Sequence, residues 1–172
     1  NPDLAYLAGA LAADGTFAVG ETSTRARGYL YGDKAEFAPA IEAAAARVLA
    51  GRDELVERQA TLTPEFTYSP FYKRHTLSSA PLAKVLADHG VTRETKTAVP
   101  EFVLRGDEET QRAYLNGFLQ LEASITGNEK VGNISIEVAS IDRGHLVAVQ
   151  RLLLNLGVYT RIYAGRKLGG MA

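Results

Sequence analysis

Two acids stand where a helix ends, and neither placement suits a helix. Leu7 to Gly15 reads LAGALAADG, a run of small apolar residues closing on Asp14. Gly commonly follows the last turn of a helix. The spacing therefore predicts that Asp14 sits at the negative end of the helix dipole. A carboxylate there is unfavourable by a few tenths to about 1 kcal/mol. Glu122 occurs 108 positions later in matching surroundings: AYLAGALAADGTF over Ala5–Phe17 is echoed by AYLNGFLQLEASI over Ala113–Ile125. If the two helices pack side by side and parallel, both acids meet at their negative ends. A divalent cation would neutralise them, and hard oxygen ligands favour magnesium. Two carboxylates holding metal suit in-line attack of water on a phosphodiester.

The elements needed to position the acids follow from the repeat. Gly9 falls on Gly117, and Gly inside a helix costs about 1 kcal/mol relative to Ala. Close packing of two helices would offset that cost. Ala5, Ala8, Gly9 and Ala12 share one side of the first helix, and Ala113, Asn116, Gly117 and Gln120 the matching side of the second. Strands are expected at Thr16–Glu21 and Gly28–Gly32, then a helix over Lys34–Leu49 ending at Gly51. The second copy gives Ser124–Ile125, Asn133–Ala139 and a helix over Asp142–Leu156. The first half continues with strands near Glu54–Leu62 and Phe66–Ser78 and a helix over Ala80–His89. The second continues only with a strand at Tyr159–Arg166, one strand and one helix short. Asp107 is expected to cap the second repeat helix. The resulting class is α+β, with a first half at 1–91, a connection at 92–106 and a shortened second half at 107–172.

Composition narrows the function without fixing it. The 172 residues are 46% hydrophobic and 23% charged, enough for a real core and against disorder. No cysteine is present, which removes thiolate metal sites and disulfides and fits an intracellular, cytoplasmic protein. The apolar runs fall short of the roughly 20 residues a membrane span needs. The net charge of −1 is a weak point against nucleic-acid binding, but it does not report where charges lie. Either acid alone reads most simply as a turn residue or a solvated helix end. Only the matched pair argues for a metal site.

The two segments LAGALAADG and LNGFLQLEA resemble the motifs of LAGLIDADG homing endonucleases in their single-chain, two-motif form. The second is weaker, with Glu for Asp and Ala123 in the closing position; archaeal intron-encoded members also carry Glu there. HLVAVQRLLLNLGVYTRIY resembles the segment that follows the second motif. The resemblance implies αββαββα halves around a pseudo-two-fold axis, with two curved antiparallel sheets forming a saddle over the DNA major groove. It implies a monomer that binds double-stranded DNA at a long target. Hydrolysis would be magnesium-dependent, with manganese as a substitute, and would leave short 3′ overhangs. The metal would be held by Asp14 and Glu122, helped by the carbonyls of Ala13 and Leu121. Members carry a basic residue near each metal: Lys34 fits in the first half, but the repeat puts Ser140 at the matching place. Asp33 takes the place of a residue that orients water. Intron and intein origins both remain open.

DNA contacts are expected along the strands, where polar and basic side chains alternate outward. The candidates are Arg25, Arg27, Tyr29 and Tyr31 in the first hairpin, Arg58 in the third strand, and Lys73, Arg74 and His75 in FTYSPFYKRHT. Arg161 and Arg166 lie near the C-terminus. Glu101, Asp107, Glu108 and Glu109 fall in the connection or at a helix start, away from that face. Two alternatives stay open: a non-catalytic nucleic-acid binder, such as an intron-RNA maturase or a regulator, and an unrelated scaffold in which the acids lie far apart.

Overall fold

The computed structural model describes residues 1–19, 24–52, 64–128, 130, 132–140 and 142–164. Helix α1 (Pro2–Asp14) starts where the side chain of Asn1 accepts the amide of Leu4 and where Pro2 fits the first turn. Its Leu4, Ala5, Leu7, Ala8, Gly9, Ala10 and Leu11 are all buried. A helix apolar on every side belongs in the centre of a core. Helix α5 (Glu108–Glu122) lies against it and is capped by Asp107, which accepts the Thr110 amide at 2.9 Å, as expected.

The two helices close by reciprocal contact. A Cβ on Gly9 would overlap the carbonyl oxygen of Tyr114, and a Cβ on Gly117 would overlap that of Tyr6. Tyr6 and Gln120 are hydrogen-bonded across the same seam. Ala8, Gly9 and Gly117 are buried there, beside the half-buried Ala12 and the exposed Asn116.

Gly15 follows the last turn of α1, as expected, but not in the left-handed conformation common there. It is extended instead (φ −111°, ψ 169°), and so is Ala123 after α5 (φ −78°, ψ 146°). Both chains run straight from helix into strand. This is why Ala can replace Gly in the second copy: no positive φ is required there.

The first half holds a four-stranded antiparallel sheet, ordered β1 (Gly15–Val19), β2 (Thr24–Tyr31), β4 (Arg74–Ser79), β3 (Thr67–Ser69). The single strand expected over Phe66–Ser78 is in fact the β3–β4 hairpin. Pro70 and Lys73, the latter at φ 48°, make the turn that breaks it. The strand expected near Glu54–Leu62 falls outside the described residues. The helix expected from Lys34 begins as a 3-10 turn (Gly32–Phe37) and becomes α2 only at Ala38–Leu49, because Pro39 has no amide to donate and fits the first helical turn. Helix α3 (Ala80–Asp88) closes this half, and a one-turn α4 (Glu101–Leu104) lies in the connection.

The second half has a two-stranded sheet, β5 (Ser124–Asn128) with β6 (Asn133–Glu137), and α6 (Arg143–Asn155). Asp142 caps α6, and His145, Val149 and Leu152 form its buried stripe at helical spacing. Residues 158–163 form no strand, contrary to expectation. Phe17, Ala26, Leu30 and Leu77 of the first sheet share one core with α1, α2, α3, α5 and α6. Burying each large member contributes about 1.5–3 kcal/mol.

Candidate active site

The adjoining C-terminal ends of α1 and α5 bring Asp14 and Glu122 within electrostatic reach of each other. Burial pushes the Glu122 carboxyl above its ordinary range, and the Asp14 carboxylate adds to the shift. The two acids are therefore not far apart, which removes the unrelated-scaffold reading.

Two lysines lie beside the acid pair. Lys34, brought back by the 3-10 turn after β2, places Nζ 2.5 Å from Asp14 Oδ2. Lys96, from the connection between the halves, is half-buried and donates from Nζ to the Gly15 carbonyl at 2.7 Å. Burial lowers its pKa, while the carboxylates of Asp14 and Glu122 act in the opposite direction. Lys96 is thus a second basic group near the acid pair. The internal repeat pointed to Ser140, which instead accepts the Asp142 amide. Lys96 lies in the stretch that belongs to neither repeat, so repeat logic could not find it; its only signal is a lone lysine in the connection. Asp33 precedes Lys34 in the 3-10 turn, with its side chain exposed.

The donor set fits a magnesium-sized ion. Magnesium is usually held by one or two carboxylates, with waters and substrate phosphates completing the shell. Among the described residues no group of three or more His, Cys, Asp or Glu side chains gathers. Two carboxylates are what the chain offers, together with last-turn carbonyls such as those of Ala13 and Leu121, which lack intrahelical donors.

The sheet beside this centre has one basic face. Register pairs Thr16 with Arg27 and Arg27 with Ser78, Tyr29 with Thr76, and Tyr31 with Arg74. Arg25, Arg27, Tyr29, Tyr31 and Arg74 therefore share a face, opposite the buried Ala26 and Leu30. Three acids elsewhere are paired: Asp3 with Arg47, Glu101 with Arg105, Glu108 with Arg112. Among the described residues, Arg25, Arg27 and Arg74 have no carboxylate partner. His75 does not belong to this face. Strand alternation turns it to the other side, where its ring meets Tyr68 edge-on. Lys73 sits in the hairpin turn, and Arg161 is exposed on irregular chain after α6. Arg58 and Arg166 lie outside the described residues.

Residues 109–171 match the LAGLIDADG-like domain. Over 98% of its length the chain also superposes on the homing endonuclease I-DmoI bound to nicked target DNA with manganese, at 18% identity and a TM-score of 0.61, covering 84% of that chain. The chain has the two-motif LAGLIDADG fold. A second I-DmoI complex, with DNA and manganese, gives the same TM-score over 96% of this chain and 83% of the other. A further one, with target DNA and magnesium, gives 0.62 at 16% identity, with 96% and 83% covered. Two curated relatives are 38% identical over 171 residues: the ribonucleoside-diphosphate reductase NrdEB alpha subunits of Bacillus subtilis and of Bacillus phage SPbeta. The match covers 97% of this chain but spans only 15% of those subunits. Among the described residues, no helix is long and apolar enough to cross a membrane.

Proposed function

We propose that the chain is a divalent-metal-dependent, site-specific endonuclease that hydrolyses both strands of a long DNA duplex. The observation that carries this reading is the meeting of Asp14 and Glu122 at the joined ends of α1 and α5, flanked by Lys34 and Lys96. Asp14 and Glu122, with the carbonyls of Ala13 and Leu121, would hold magnesium or manganese. An ion bound there supplies Lewis-acid polarisation of a phosphoryl oxygen and lowers the pKa of a coordinated water.

The chain's own groups do the rest. In the free protein the Lys34 ammonium rests on Asp14, so substrate and ion must share or displace that contact. Lys34 and Lys96, beside the carboxylates, stabilise negative charge developing on the phosphate. The arginine-bearing sheet face holds the duplex over the centre, and its phosphate contacts make binding salt-dependent. Hydrolysis on both strands would leave short 3′ overhangs.

We further propose that the module works as part of a longer host protein, in the manner of an intein-borne endonuclease. The support is the match to a 15% portion of a reductase subunit. The first duplex to test is accordingly the reductase-subunit coding sequence with the matched segment removed, beside a randomised duplex library. Purified protein with magnesium should cut one site in this set. Asp14→Asn and Glu122→Gln should stop cutting and leave binding intact. Salt-dependent binding with no metal-dependent cutting would instead favour a non-catalytic binder.

A further inference from the structure

The β3–β4 hairpin carries an arginine held in an unusual way. The Arg74 guanidinium carbon lies 4.3 Å from the ring centroid of Tyr29 and 4.7 Å from that of Tyr72. Its Nη1 donates to the Tyr31 hydroxyl at 3.1 Å. Its Nε is enclosed and has no partner. Two rings and one hydroxyl from β2 and the hairpin turn therefore fix both the position and the plane of this side chain. An arginine serving only as a point charge would gain little from such restraint, because a phosphate can be met from many directions.

The remaining donors are a directional set. Guanidinium has five N–H groups in a rigid fork. The Nε hydrogen is enclosed and one Nη1 hydrogen is taken by Tyr31. The second Nη1 hydrogen and the Nη2 pair are left to a partner. An end-on Nη1/Nη2 pair of this kind matches two neighbouring acceptors in one plane. In duplex DNA the major-groove edge of guanine offers them as O6 and N7. Arg74 stands on the same sheet face as Arg25 and Arg27 and pairs in register with Tyr31.

We propose that Arg74, clamped by Tyr29, Tyr31 and Tyr72, is a specificity-determining residue that reads one guanine in the half of the target under the first sheet. This rests on the DNA-binding reading above. Arg25 and Arg27 have no such clamp among the described residues and act through charge.

The test is selection of bound duplexes from a randomised library, without added metal, by the wild-type chain and by Arg74→Ala, Arg74→Lys and Tyr72→Ala. Thermal melting of each variant confirms that it folds. The wild type should enrich a site with a fixed guanine at one position. Arg74→Ala should lose the preference there by roughly tenfold to a hundredfold, leaving other positions and the salt dependence unchanged. Arg74→Lys should lose it too, since lysine keeps the charge but not the fork. Tyr72→Ala should weaken the same position alone. Uniform loss of affinity in Arg74→Ala, with a shallower salt slope, would mark a phosphate contact and overturn the proposal. So would an unchanged enriched sequence. If the wild type binds no duplex at all, the nuclease reading fails and this one with it; if it binds without the guanine, only this one fails.

Discussion

Gly9 and Gly117 hold each other's helix at a distance that no side chain allows. A Cβ on the first would overlap the Tyr114 carbonyl, and one on the second the Tyr6 carbonyl. The obstacle is backbone in both directions, so no rotamer change relieves it. The seam this contact sets is also what brings the ends of α1 and α5 together.

Gly9→Ala and Gly117→Ala should therefore destabilise the protein, although Ala favours a helix by about 1 kcal/mol over Gly. Overpacking against rigid neighbours costs about 1–3 kcal/mol, occasionally more. A net loss should lower the melting temperature by a few degrees, at about 2–4 °C per kcal/mol for a chain of this size. Cutting should fall further than stability does, because prising the helices apart also separates Asp14 from Glu122. An unchanged melting temperature in both variants would contradict the tight seam.

Lys96→Met should reduce cutting by about 10²–10³-fold or more, the loss typical of removing one electrostatic stabiliser from a reaction centre. Binding of the duplex should change little, because Lys96 is half-buried and engaged with the Gly15 carbonyl. Single-turnover cleavage rates beside equilibrium binding separate the two effects. Ser140→Ala should leave both unchanged. Equal loss of cutting in Ser140→Ala would return the second half's basic role to the repeat-derived position.

The helices and the acid pair were legible in the sequence because both are duplicated: Gly9 with Gly117 and Asp14 with Glu122 keep step. The duplication also misled. It assigned the second lysine to Ser140, whereas Lys96 comes from chain that has no copy. The β3–β4 hairpin was hidden because residues suited to strands, among them Phe66, Thr67, Tyr68, Phe71, Tyr72 and Thr76, occur on both sides of the turn, so only Pro70 marked it. His75 illustrates the limit of composition. It sits beside Arg74 in sequence, yet strand alternation places it on the other face.

Arg25→Ala and Arg27→Ala should each weaken duplex binding by a similar factor on all sequences. If each contacts one phosphate, each should reduce the slope of log affinity against log salt by about 1. Cations without carboxylate partners keep their full attraction for phosphate, whereas Arg47, Arg105 and Arg112 are already paired with Asp3, Glu101 and Glu108. Arg47→Ala is thus the control, with binding and slope unaltered. Titrations at several salt concentrations decide the matter, and an unchanged slope in both sheet variants would take the duplex off this face.

Acid should loosen the second half through His145. The ring is buried and its Nε2 is 2.9 Å from the Tyr114 hydroxyl, with Phe118 beside it and Asp142 at the cap of α6. Burial lowers its pKa, and the Asp142 carboxylate offsets this only in part. Its ordinary value is about 6.5. Below that pH the unfolded chain takes up a proton that the folded chain still refuses, so stability falls as pH drops from about 6.5 towards the folded value. Above pH 6.5 the group contributes no slope. Glu122 acts with the opposite sign at lower pH, because its carboxyl is held up and the folded chain protonates first. The difference between wild type and His145→Gln isolates the histidine. Between pH 7 and pH 5.5 the melting temperature of the wild type should fall more steeply than that of the variant. Tyr114→Phe should destabilise at every pH by about 1–3 kcal/mol, since it leaves the buried His145 nitrogen without its partner. Parallel pH profiles for wild type and His145→Gln would mean that the ring reaches solvent, and that α6 is not docked as Val149 and Leu152 place it.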